Sequence, residues 1–288
     1  MFFSLAQGGS TLQPDPPISC SDCDEWNRPQ EPYRVFGNTY HVGVAGLSAI
    51  LVVSDAGSIL LDGGLPQSAP LIDSNIRKLG FRTEDVRLIL NSHAHYDHAG
   101  GIAALQRVSG ATVAASAAGA RALEQGEPTT DDPQYGFGRK ANAFPAVKTV
   151  RVVKDGEVMR VGNVGVTAHL TPGHTPGSTT WTWQSCEGAR CLNLVYADSL
   201  TPVSAPGFRF TPHVDSFRQS IAVVEKLPCD ILLRTHPSAA AMASMVARQK
   251  GKADSNPLID GNGCRSYAGN ARKGLEQRVA EEKKTPGL

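Results

Sequence analysis

Three histidines and an aspartate within six residues, His93-Ala94-His95-Tyr96-Asp97-His98, constrain this 288-residue chain more than any other stretch. A lone histidine is commonly structural, but four clustered nitrogen and oxygen ligands point to metal. In extended backbone, side chains at i and i+2 point the same way, so His93 and His95 can reach one ion. Asp97 and His98, beyond a bend, can reach a second. Residues 86–90 before the cluster form a short apolar strand, and residues 100–108 after it show helical spacing. The cluster therefore sits on a strand-to-helix loop, and the fold must bring it further ligands from other strand ends.

Five histidines remain to supply them. His174 lies in the turn-rich Thr171-Pro172-Gly173-His174-Thr175-Pro176-Gly177-Ser178 and His236 in Arg234-Thr235-His236-Pro237, each just after a strand-like run. His41 and His169 lie within strand-like runs, and His213 follows a proline before a helix, so these three read as structural. The expected sets are His93, His95 and His174 for one metal, and Asp97, His98 and His236 for the other. Three protein ligands per ion leave a position for water, and mostly imidazole ligation favours Zn²⁺. Two such ions roughly 3.5–4 Å apart would lower the pKa of a shared water towards about 7, so the implied reaction is hydrolysis.

The rest of the chain suits a two-sheet scaffold. Residues 8–33 are rich in Pro, Ser, Asp and Gly and read as an irregular arm. Strands are expected at 34–42, 48–54, 58–61, 86–90, 111–115, 148–153, 165–170, 179–184, 192–197 and 231–234. Helices are expected at 69–79, 100–108, a stretch through 123, 216–227 and 271–284, and residues 126–145 read as a long loop. That succession predicts an αββα sandwich with its chemistry on loops along one edge: an arm over residues 1–32 and a single domain over 33–288.

The net charge of +1 offers no basic stripe for nucleic acid and no polybasic cluster for a membrane, and no apolar run approaches the roughly 20 residues needed to cross a bilayer. A small-molecule substrate and a monomer are expected. Residues 1–7, with Ser4 and Ala6 before Gln7, read either as the tail of a clipped signal peptide or as a plain disordered start. Cys186 and Cys191 flank a polar hairpin tip and suit a disulfide. Cys20 and Cys23 are as close, though a redox or zinc CxxC is the competing reading, and Cys229 and Cys264 are left to pair. An even count with two close pairs favours an oxidising compartment such as the periplasm.

The HxHxDH element, with His174 in a Pro-Gly-His-Thr loop and His236 last, resembles the metallo-β-lactamase superfamily from about residue 33 to the C-terminal helix. Leu61-Asp62-Gly63-Gly64, Thr180-Trp181-Thr182-Trp183, Tyr196-Ala197-Asp198-Ser199-Leu200-Thr201, Arg234-Thr235-His236-Pro237-Ser238 and the pair Cys229 and Cys264 resemble its third β-lactamase subclass. The resemblance implies two Zn²⁺ per chain and hydrolysis of the β-lactam amide of penicillins, cephalosporins and carbapenems, conferring antibiotic resistance. It assigns Asp97 to orienting the nucleophile as well as binding metal. Ser199 and Thr201 would face the substrate carboxylate, although both also read as turn residues. Gln134 resembles a polar substrate contact but reads equally as a solvated loop glutamine. Two alternatives stay open: a thioesterase or lactonase of the same fold, in which Asp198 would bridge the metals, and a non-catalytic zinc-binding protein with both open positions blocked.

Overall fold

Continuous apolar runs such as Ile50-Leu51-Val52 and Ile59-Leu60-Leu61 are what a strand covered on both faces requires, and twelve strands form among the described residues. The computed structural model describes residues 12–251 and 255–284, so the signal remnant expected at 1–7 lies outside the described residues. One sheet runs, in order, through β1 (Tyr33–Phe36), β2 (Thr39–His41), β3 (Ile50–Ser54), β4 (Gly57–Leu61), β5 (Val86–Leu90), β6 (Thr112–Ala115) and β7 (Val150–Val152). Its first four strands pair antiparallel, and β4 to β7 pair parallel. The second sheet comprises β8 (Val158–Val161), β9 (Val164–Leu170), β10 (Thr179–Glu187), β11 (Arg190–Ala197) and β12 (Ile231–Arg234), antiparallel except for β11 with β12.

The period of two sorts these side chains into layers. Ile50, Val52, Ile59, Leu61, Leu88 and Leu90 meet Trp181, Trp183, Leu194 and Tyr196 between the sheets. The alternate residues Leu51, Leu60 and Ile89 pack outward on helices Ala69–Lys78 and Ile102–Ser109 through Ile72, Ile76, Ile102 and Leu105. On the far side Val195 and Ala197 pack on Phe217 and Ile221 of helix Val214–Lys226 and on Leu275 and Val279 of helix Gly263–Lys284. Helix, sheet, sheet and helix are thus stacked as the αββα expectation requires.

Several elements differ from the sequence reading. Residues 34–42 form a hairpin rather than one strand, because Gly37 turns the chain at a φ of 53°. Strand β8 and helix Ala239–Gln249 were not expected; the helix is capped by Ser238, whose hydroxyl accepts from the Ala241 amide. The last helix starts at Gly263 rather than 271, since Cys264 and Ala268 extend the buried stripe of Ala271, Leu275 and Val279. The described part of the arm, residues 12–32, is mostly irregular, yet its helical turn Cys23–Trp26 docks through Cys23 on Val44, Leu47 and Leu65. Disulfides join Cys20–Cys23, Cys186–Cys191 and Cys229–Cys264, which leaves no CxxC thiolate for a metal.

Glu282 clamps the last helix to the segment that precedes helix Val214–Lys226. Its carboxylate accepts from the Phe210 and Thr211 amides at 2.8 and 3.0 Å, from the Thr211 hydroxyl at 2.6 Å and from Arg278 at 3.0 Å. Burial would raise its pKa, but these donors outweigh it and lower the value from 4.5 to about 2. A depressed pKa means stability present above the unfolded value near pH 4.5 and lost as pH falls towards 2. Glu282→Gln is expected to cost about 1–2 kcal/mol at pH 7, a figure reduced for solvent screening, and to flatten the acid limb of the stability profile. Urea titrations from pH 7 to 2 check this; identical acid limbs would contradict it.

Candidate metal centre

The cluster is shaped by Asp62, which follows β4 and is the one non-glycine residue at positive φ (60°) among the described residues. Fully buried, its carboxylate accepts from the Ser92 amide and hydroxyl at 2.7 and 2.6 Å, from Asn91 Nδ2 at 3.0 Å and from the Tyr196 hydroxyl at 2.7 Å. Burial pushes its pKa up to about 6, against the pull of His98 and these donors. The bonds lock residues 91–92 as they leave β5. His93 and His95 then follow in non-helical backbone, and Tyr96–Ala99 is a single helical turn, so the expected bend falls between the two pairs of ligands.

Ligand atoms of His93, His95 and His174 lie within 4.8 Å of one another, and so do those of His93, Asp97 and His98; each set could hold a metal ion. His236 completes the second group: its Nε2 is 3.2 Å from His98 Nε2 and 3.3 Å from Asp97 Oδ2, while His98 Nε2 is 3.2 Å from Asp97 Oδ2. Donors around a tetrahedral ion at about 2.0–2.1 Å stand roughly 3.3 Å apart, so this triangle has the dimensions that zinc requires.

In His93, His95, His174 and His236 the outer ring nitrogen is held by a partner that selects the inward one, whereas the buried Nδ1 of His98 has no hydrogen-bond partner among the described residues. The Nδ1–H of His174 donates to the Thr201 carbonyl at 2.9 Å and that of His236 to the Gly46 carbonyl at 3.1 Å. His93 donates through Nδ1 to Asp198 Oδ1 at 2.6 Å, leaving Nε2 for an ion. His95 is reversed: its Nε2 is 3.2 and 3.3 Å from the two oxygens of Asp132, which leaves Nδ1 as the nitrogen free to face an ion. Carboxylates and carbonyls behind histidine ligands fix the tautomer and raise ligand basicity.

Charge follows the same pattern. Burial, then the neighbouring His98 and His95, holds His93 well below the ordinary imidazole range. Burial with His93 and His95 lowers His174 to about 3. Burial would raise Asp97, but His98 and His236 outweigh it and keep the carboxyl well below the usual range. His93 and His174 are thus held neutral and Asp97 ionised, as a cation needs. Burial would lower His98, but the carboxylates around it, Asp97 first, raise its pKa to about 8, and an ion bound there would have to displace that proton.

The ligands open on a cavity of about 380 Å³ whose wall includes Ser199, Thr201 and Gln134, so the three expected substrate contacts share one space with the cluster. Ser199 Oγ lies 3.0 Å from Thr235 Oγ1, and Thr201 Oγ1 lies 3.3 Å from His174 Nδ1. A larger groove of about 690 Å³ beside β8 to β11 contains His169, bonded at 2.8 Å to Thr182, and no residue of the cluster. His41 is buried and stacked on Tyr33, and His213 is stacked on Phe208, apart from the cluster as expected.

Sequence reading missed Asp62 as the organiser, Asp132 and Asp198 as partners of ligands, and Trp26, which lines the cavity with its ring 5.2 Å from that of His236. A non-glycine residue ahead of Gly63-Gly64, at a strand end, was the available signal for Asp62; Asp198 stood out in the sequence only as a candidate bridge between metals, and Asp132 and Trp26 carry no signal.

Residues 42–236 match a family described as the metallo-beta-lactamase superfamily. Among solved structures, Rm3 metallo-beta-lactamase is 50% identical, with 92% of this chain and 99% of that chain covered at a TM-score of 0.86. MEM-A1, a subclass B3 metallo-beta-lactamase isolated from a soil metagenome library, is 47% identical over 90% of this chain and 99% of its own, at a TM-score of 0.83. SMB-1, in a complex with mercaptoacetic acid, is 45% identical over 89% of this chain and 99% of its own, at a TM-score of 0.82.

Proposed function

The chain belongs to the metallo-beta-lactamase superfamily, and from that membership we propose that it is a zinc-dependent hydrolase of the β-lactam amide bond in penicillins, cephalosporins and carbapenems. The observation that carries this reading is the pair of adjoining ligand groups, His93, His95 and His174 beside Asp97, His98 and His236, at a cavity that also presents Ser199 and Thr201. Asp198 supports it further: bonded to Nδ1 of His93, it stands behind a ligand rather than between the two groups, where a thioesterase-like enzyme would need it.

Zinc bound to both groups supplies a water activated near neutral pH and an electrophile for the amide carbonyl. The chain's own residues do the rest. Asp97, held ionised, accepts a hydrogen bond from the attacking water and aims it at the carbonyl carbon. The hydroxyls of Ser199 and Thr201 donate to the substrate carboxylate and set its orientation, while Gln134 and Trp26 wall the cavity. Three disulfides support export to an oxidising compartment such as the periplasm, where the activity would confer antibiotic resistance. No described helix is long and apolar enough to cross a membrane.

Turnover of nitrocefin and imipenem, with and without chelator, tests the function. Hydrolysis that is lost with the metal and restored by zinc is expected, with about two zinc ions per active chain by elemental analysis. Wild-type protein that opens no β-lactam overturns the reading. Replacing Ser199 and Thr201 together with alanine should lower kcat/KM at least about tenfold, chiefly through KM, since two donors to a charged group are lost at roughly 1.5–3 kcal/mol each in a favourable case. Zinc content should not change, because all six ligands remain. An unaltered kcat/KM on penicillins and carbapenems would remove both hydroxyls from the role.

A further inference from the structure

One cavity wall carries a charge that neither the ligand set nor the hydroxyl pair uses. Arg234 is the last residue of β12, two before His236, and it is half-buried. It lines the cavity and is, among the described residues, its single lining residue with a permanent positive charge. Arg77, Arg218 and Arg272 each place a guanidinium nitrogen within 3.0 Å of a carboxylate oxygen. The guanidinium of Arg234 has no such partner among the described residues; its carbon lies 6.0 Å from the centre of the Tyr267 ring.

That tyrosine joins the charge to the hydroxyls. The Tyr267 hydroxyl accepts from the Leu200 amide at 3.1 Å and donates to the Asp198 carbonyl at 2.9 Å, so the ring beside Arg234 is bonded to the segment that carries Ser199 and Thr201. Strand register agrees, since Arg234 is paired with Ala197, the residue from which that segment departs. A planar guanidinium with an aromatic face beside it and no carboxylate among the described residues paired with it is suited to take a planar carboxylate from a ligand.

We propose that Arg234 supplies the fixed positive charge that selects the ring carboxylate of the substrate, acting together with Ser199 and Thr201 as a carboxylate-recognition wall. This rests on the β-lactam reading. The cavity therefore discriminates anionic substrates from their neutral esters, and Arg234 sets the size of that discrimination.

The test compares benzylpenicillin with its methyl ester on zinc-loaded wild type, Arg234→Ala and Arg234→Lys. The expected wild-type result is a strong preference for the acid, and a kcat/KM for the acid that falls as ionic strength rises. Arg234→Ala should lower the acid-to-ester ratio of kcat/KM about tenfold and flatten the salt dependence. Arg234→Lys, which keeps the charge but not the fork, should fall between. Zinc content and melting temperature should match wild type in both variants. An acid-to-ester ratio equal to wild type in Arg234→Ala overturns the proposal, as does an equal loss on both substrates. Wild type that opens neither compound, nor nitrocefin, overturns the β-lactam reading beneath it.

Discussion

Asp97→Ala is expected to leave about one zinc per chain and to lower kcat/KM for nitrocefin by about a thousandfold or more. Asp97 Oδ2 sits 3.2 Å from His98 Nε2 and 3.3 Å from His236 Nε2, and those two nitrogens are 3.2 Å apart. Without the carboxylate, two imidazoles face each other across a gap that one shared proton can bridge, and the site's negative charge is gone. The cation is then held by two neutral groups where three donors stood before. The acceptor that aims the water is lost in the same substitution, so binding and chemistry fail together. His93, His95 and His174 are untouched, which is why one ion should stay. Elemental analysis and steady-state kinetics on the dialysed variant check both numbers. Two retained zinc ions, or more than about a tenth of wild-type kcat/KM, would contradict the placement of Asp97 in the second group.

Asp62→Ala should produce the largest loss of stability, about 3–5 kcal/mol, seen as a melting temperature lower by about 10 °C. Four donors lose their acceptor at once: the Ser92 amide and hydroxyl, Asn91 Nδ2 and the Tyr196 hydroxyl. All four belong to residues buried between or beside the sheets, where a donor without its acceptor is costly. Alanine must also adopt a φ of 60°, a region that an aspartate tolerates better. Asp62→Asn keeps that tolerance and one acceptor oxygen, so a smaller loss is expected. Because Asp62 fixes the exit of β5, the alanine variant should bind zinc more weakly as well. Thermal melts of both variants, with and without chelator, test this; a melting temperature within about 2 °C of wild type would show that Asp62 does not organise the loop.

Much of the site was legible because ligand chemistry is local. His93, His95, Asp97 and His98 announce themselves by type and spacing, and the two outlying histidines could be chosen because each follows a strand-like run. The layers were legible for a similar reason: apolar runs in β3, β4, β5 and β11 can be buried only on both faces. What failed was punctuation. One glycine at residue 37 divided a strand, and a stripe of small residues extended the last helix towards Gly263, where no strong apolar period marks its start.

The sequence by itself determined which side chains have the chemistry of metal ligands, and that strands and helices alternate in two halves. Only the tertiary structure decided how the ligands are held. Asp198 reaches His93 across 105 residues, Asp132 reaches His95 across 37, and Asp62 reaches Ser92 across 30. Trp26 and Arg234 enter the cavity from the arm and from the end of β12. The sequence names no partner for any of these residues, because each meeting depends on which strands lie side by side and in what register. β4 lies beside β5 and β11 beside β12. A slip of one residue in β12 would turn Arg234 to the opposite face of the sheet and displace the loop that delivers His236, since side chains alternate with a period of two.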